Sequence, residues 1–134
     1  MRVALLLIAL IAVIGCGPSA GATATTSLKI SYWPEGRAGG PAQTWTLRCG
    51  PVGGTLTRPG AACQKLAAMK SPFAPISPDA MCTEQYGGPQ VAVISGTFRG
   101  SRLWTQLQNR NGCEIARFKR LAFLVPGFGS GASA

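Results

Sequence analysis

Four cysteines, Cys49, Cys63, Cys82 and Cys113, lie behind an export-type leader, and they constrain this chain more than any other feature. In an oxidising compartment such a set reads as two disulfides that staple a small domain. Four cysteines permit three pairings, and spacing alone leaves all of them open. A tetrathiolate zinc site is the rival reading, but no CxxC knuckle occurs between Cys49 and Cys113, so no metal is expected.

The leader itself is Met1 and Arg2 followed by an apolar run from Val3 to Gly15. That run is too short for a stable membrane span and suits the h-region of a signal peptide. It ends in Val13-Ile14-Gly15-Cys16, the form of a lipoprotein box, in which the Cys16 thiol would carry the lipid anchor. Cleavage further on is the competing reading, because Ala20-Gly21-Ala22 and Ala22-Thr23-Ala24 both offer small residues at the right spacing. The expected organisation is a signal peptide over 1–15, a flexible tether over 16–26, one folded domain over 27–125 and a disordered tail over 126–134. The protein is expected outside the cytoplasm, secreted or lipid-anchored on the outer face of a bacterial membrane.

Composition removes most enzyme classes. The 134 residues include no histidine, so no Ser-His-Asp or Cys-His pair and no histidine general base can form. The carboxylates are Glu35, Asp79, Glu84 and Glu114, scattered without the spacing of a paired acid and base. Gly50-Pro51-Val52-Gly53-Gly54 lacks the Lys-Ser/Thr that would make it a phosphate loop. The chain therefore reads as a non-enzyme with no cofactor.

Periodicity gives the elements. Leu28, Ile30 and Tyr32 alternate with polar neighbours in a strand that stops at Pro34, and Trp45, Leu47 and Cys49 repeat the pattern. Pro59 opens an alanine-rich segment predicted as a helix to Met69. Pro72, Pro75 and Pro78 forbid regular structure and predict a stiff loop leading to Met81. Val91 and Val93 start a strand interrupted at Ser95-Gly96, then a turn through Arg102 leads to a partner strand carrying Leu103, Thr105 and Leu107. Asn111 and Glu114 have capping-box spacing for a helix from about Gly112 to Lys119, and Leu121 to Val125 reads as a last buried strand. The predicted class is α+β, about five antiparallel strands with two short helices, with a β-sandwich as the alternative.

Taken in order, Thr46-Leu47-Arg48-Cys49, Ala61-Ala62-Cys63 with Leu66-Ala67-Ala68, Met81-Cys82 with Tyr86 and Pro89, and Asn111-Gly112-Cys113-Glu114 carry a resemblance. They are similar to the subtilisin inhibitor-like family of secreted bacterial serine protease inhibitors, over roughly Leu28 to Val125. The resemblance implies a five-stranded sheet with two helices, the pairings Cys49 with Cys63 and Cys82 with Cys113, and a homodimer formed through the sheet. It also implies a standard-mechanism inhibitory loop whose scissile bond is Glu84–Gln85. In that loop Met81 gives an apolar contact upstream, Cys82 fixes the chain, Thr83 braces it, Glu84 enters the protease's primary pocket, and Gln85 and Tyr86 touch the leaving side. Glu84 departs from the Met, Leu, Lys or Arg that members blocking subtilisin or trypsin usually carry there. The expected partner is a serine protease, subtilisin-like or chymotrypsin-like, but a carboxylate in an apolar pocket is desolvated without a partner, so two outcomes follow: a glutamate-specific target with a basic pocket, or weak or absent inhibition.

A formal net charge of +9 supports a second reading. Arg110, Arg117, Lys119 and Arg120 concentrate cations near the second helix, and a non-inhibitory envelope lipoprotein with such a surface would bind anionic lipid or wall polymer. Nucleic acid is not an expected partner, because no aromatic-basic motif of an RNA-binding sheet appears.

Overall fold

The computed structural model describes residues 25–129. The signal peptide, Cys16 and most of the tether lie outside the described residues, as do residues 130–134. Strands β1 (Thr26–Trp33), β2 (Gln43–Cys49), β3 (Gly88–Phe98) and β4 (Ser101–Asn109) form one antiparallel sheet in the order β2-β1-β3-β4, with α1 (Pro59–Ala68) and α2 (Gly112–Arg120) completing the fold. The α+β class is as predicted, and a single sheet takes the place of the sandwich alternative.

Alternation in β1 creates the core. Leu28, Ile30 and Tyr32 are buried while Ser27 and Lys29 face solvent, and Ile30 lies opposite Trp45 on one side and Ile94 on the other. Helix α1 packs by β2 and α2 by β4, and Leu66 and Phe118 join Leu47, Ile94 and Leu107 in the buried cluster. Fully burying side chains of this size contributes about 1.5–3 kcal/mol each. The outer edge of β2 is closed by its own following loop, through Arg48 N–H to the Gly53 carbonyl (2.9 Å) and Leu56 N–H to the Thr46 carbonyl (3.0 Å). That pairing occupies a strand edge that would otherwise be open to association.

The sheet has four strands, not five. Leu121 to Val125 continues the helical path of α2, with Ala122–Leu124 forming a 3-10 turn closed by bonds such as Leu124 N–H to the Leu121 carbonyl (2.9 Å). Leu121, Leu124 and Val125 are buried as expected, but a short apolar run has no period that separates a strand from a buried helical turn. The expected break at Ser95-Gly96 is also absent. Gly96 stays within β3, opposite Leu28 and Leu103, and at φ 132° it has no room for a Cβ, which would strike the Ser27 carbonyl oxygen of the neighbouring strand.

Two boundaries differ from expectation. Thr26, assigned to the tether, is the first residue of β1 and is buried, its hydroxyl accepting the Arg99 N–H at 3.2 Å. At the other end the first residues of the expected tail fold back, and Phe128 stacks on Phe118 with ring centroids 3.8 Å apart.

Helix α1 begins with Pro59 at its first turn, as its fixed φ favours. Its C-terminal carbonyls are satisfied from the sheet. Arg99 sits at φ 48° in the β3–β4 turn beside Gly100 at φ 81°, and its guanidinium donates to the carbonyls of Leu66 (2.9 Å), Met69 (2.9 Å) and Lys70 (3.0 Å). Two successive positive φ values suit the tight hairpin.

Candidate functional site

Helix α2 is the platform on which the candidate site rests. Asn111 caps it, its side-chain oxygen accepting the Glu114 N–H at 3.0 Å. The reciprocal half of the predicted box lands one residue earlier, with Glu114 Oε2 accepting the Arg110 N–H at 3.2 Å and pairing with Arg110 Nε at 3.6 Å. The start of α2 is thereby fixed to the end of β4.

Arg117 fixes the rest of the helix. Its guanidinium donates to the carbonyls of Phe73 (3.2 Å), Ala74 (3.0 Å) and Gln106 (3.0 Å) and to Thr105 Oγ1 (2.6 Å). Burial, with the nearby Arg120 charge, pulls its pKa below the usual arginine value. Arg120 reaches the Pro72 carbonyl at 3.4 Å. Two of the four cations that composition grouped as a surface cluster thus tie α2 to the proline loop. Sequence reasoning missed this role, for which the chain carries no local signal.

Residues 81–87 form neither helix nor strand and cross in front of this platform. Three attachments hold them, all within residues 109–113. Cys82 is bonded to Cys113 with Cα atoms 5.3 Å apart, the Thr83 carbonyl accepts the Gly112 N–H at 3.0 Å, and the Gly87 N–H donates to the Asn109 carbonyl at 2.7 Å. Both contact points are tight, and a Cβ at either would force a neighbouring side chain to move. A Cβ on Gly112 would run into Thr83 Oγ1, and one on Gly87 would run into the Ile115 side chain. Below Gly87, Asn109 is buried and donates from Nδ2 to Gln90 Oε1 at 3.1 Å, which ties the start of β3 to the same corner.

Between these attachments Glu84, Gln85 and Tyr86 are exposed, Tyr86 at 66% and Met81 just upstream at 99%. The only ion pair among the described residues is Arg110–Glu114, so none of their cations is paired with Glu84. Met81, Cys82, Thr83, Glu84, Gln85 and Tyr86 therefore lie in one short irregular segment, with its ends secured and its middle exposed to solvent. The second bridge, Cys49–Cys63, joins β2 to α1 away from this segment, with Cα atoms 5.8 Å apart. Among the described residues no three His, Cys, Asp or Glu side chains are grouped as metal ligands would be.

Residues 13–111 match the family model described as subtilisin inhibitor-like. The chain belongs to the subtilisin inhibitor-like family. Its members are inhibitors, not enzymes, and this chain is not an enzyme. The fold is similar to a chain in the crystal structure of Streptomyces caespitosus sermetstatin in complex with Bacillus licheniformis subtilisin, with TM-score 0.50 and 21% sequence identity. That alignment covers 78% of this chain and 99% of the other. No curated protein matches.

Proposed function

We propose that the protein inhibits a serine protease by offering residues 81–86 as a substrate-like strand, with Glu84–Gln85 as the scissile bond. The observation that carries this reading is the attachment of that segment on both sides of an exposed Glu84-Gln85-Tyr86 apex, through Cys82–Cys113, Thr83–Gly112 and Gly87–Asn109. A free peptide loses conformational freedom when it enters a protease cleft, and a segment already fastened at both ends has less to lose.

The same attachments explain how a substrate becomes an inhibitor. When the protease serine attacks the Glu84 carbonyl, the acyl half stays on α2 through Cys82 and Thr83 while the amine half stays on β4 through Gly87. The Gln85 amine is then held beside the acyl-enzyme at high effective concentration, and resealing outruns hydrolysis. Catalytic groups and oxyanion hole all belong to the target, which is consistent with an inhibitor lacking histidine. Met81 meets the cleft upstream, and Gln85 and Tyr86 meet it on the leaving side.

The protein acts outside the cytoplasm, where its two disulfides persist. Anchoring through a lipidated Cys16 and a homodimer through the outer sheet face belong to the same proposal. Trp104, 66% exposed and opposite Ser95, lies on that face. Intact-mass analysis of the cell-derived protein tests the lipid, and sedimentation of Trp104→Arg tests the dimer.

The inhibitory reading is tested by titrating a panel of serine proteases and mapping any cut. Stoichiometric inhibition with one slow nick between Glu84 and Gln85 is expected. Rapid cutting at several bonds, or no complex with any enzyme, would contradict it.

A further inference from the structure

Resting on the inhibitory reading, we infer that the target protease has a cationic primary pocket and cleaves after glutamate. Glu84 is at the middle of the fastened segment, directly after Thr83, whose carbonyl is tied to Gly112. The backbone is therefore held on its upstream side, and the carboxylate is presented outward, exposed to solvent. No cation of the described residues pairs with it, since Arg110–Glu114 is the only ion pair among them. On complex formation that carboxylate loses its water. The compensating cation has to come from the target, because an apolar pocket supplies none and an acidic pocket repels the charge.

Composition points the same way. The chain holds 13 lysines and arginines against 4 acidic residues, so a carboxylate at the apex runs against the general chemistry of its surface. Of the other three, Glu35 lies in the turn after β1, Glu114 holds the α2 start, and Asp79 accepts from the Ser77 hydroxyl within the proline loop. Only Glu84 is carried on the segment that a protease would grip. Met81 and Tyr86 flank it as exposed apolar groups, so the target combines a positive primary site with apolar sites on either side. Binding energy from such a pair is directional. Placing a desolvated carboxylate against a fixed cation rewards the matched partner and penalises an uncharged isostere.

The test uses the full-length protein, Glu84→Gln and Glu84→Met, each titrated against a bacterial glutamate-specific serine protease and against subtilisin, with circular dichroism to establish folding. Wild type is expected to inhibit the glutamate-specific enzyme, Glu84→Gln to lose roughly 100-fold in affinity for it, and Glu84→Met to transfer inhibition to subtilisin. If the wild type leaves the glutamate-specific enzyme untouched while Glu84→Met inhibits subtilisin, the loop assignment stands and the cationic-pocket inference is overturned. Equal inhibition of the glutamate-specific enzyme by wild type and Glu84→Gln also overturns it. If all three proteins are folded and none inhibits either enzyme, the loop reading itself fails and the inference goes with it.

Discussion

Gly112 donates its backbone N–H to the carbonyl of Thr83 at 3.0 Å, and the missing side chain at 112 is what leaves room for the Thr83 hydroxyl. This pair is the point at which the first turn of α2 sets the path of the exposed segment. One residue further along, Cys113 binds Cys82 covalently, so two adjacent residues of the helix hold two adjacent residues of the loop.

Gly112→Ala tests that contact. Alanine favours the helix by up to about 1 kcal/mol over glycine, so global stability should change little. Its Cβ runs into Thr83 Oγ1, so the Thr83 side chain has to turn away and no longer braces the segment next to Glu84. Inhibition constants are expected to weaken about 10- to 100-fold, the scale on which a reacting group moved by an ångström loses effect. Parallel melting and inhibition curves check this, and a variant inhibiting like wild type would show the close approach to be unnecessary.

The two disulfides should separate in function. Loop-closure entropy gives about 3 kcal/mol for Cys49–Cys63 and about 3–4 kcal/mol for Cys82–Cys113, from sequence separations of 14 and 31. Each Cys-to-Ser pair should therefore lower the denaturant midpoint by a similar amount. Only Cys82→Ser with Cys113→Ser should convert the protein from inhibitor to substrate, seen as fast turnover of the Glu84–Gln85 bond. Cys49→Ser with Cys63→Ser, where still folded, should inhibit normally.

Arg117→Met should destabilise by about 1–3 kcal/mol, because it leaves the part-buried acceptors at Phe73, Thr105 and Gln106 without their donor. Arg117→Lys should recover only part of that loss, since one ammonium cannot match the planar fork that reaches four acceptors. Urea unfolding of both variants measures it, and a cost below about 0.5 kcal/mol for Arg117→Met would remove the clamp from the account.

Local chemistry made much of this fold readable. Pro59 and the alanines after it set α1, alternation around Ile30 set β1, and Asn111 set the start of α2. Non-local geometry was not readable. Within Leu121 to Val125, Ala122–Leu124 is a 3-10 turn that follows directly on α2, and Gly96 marks the close approach of Ser27 and not a break in its strand. Arg117 was grouped with surface charge and Arg99 fell in a turn, yet both meet backbone carbonyls dozens of residues away in sequence. At the candidate site, the residue types from Met81 to Tyr86 were visible in the chain. Their fastening to Asn109 and Gly112 was not, since main-chain hydrogen bonds leave no mark on side-chain identity beyond the glycines themselves.

Resealing is the most direct test of the central claim. Glu84→Met, nicked after position 84 by subtilisin at low pH and purified, would be returned to neutral pH with a trace of the enzyme and followed by intact mass. The nicked protein is expected to lose one water and return largely to the closed chain, because Cys82–Cys113 and the Gly87–Asn109 bond keep both new ends in place. A nicked protein that stays open, or is degraded further, would contradict it.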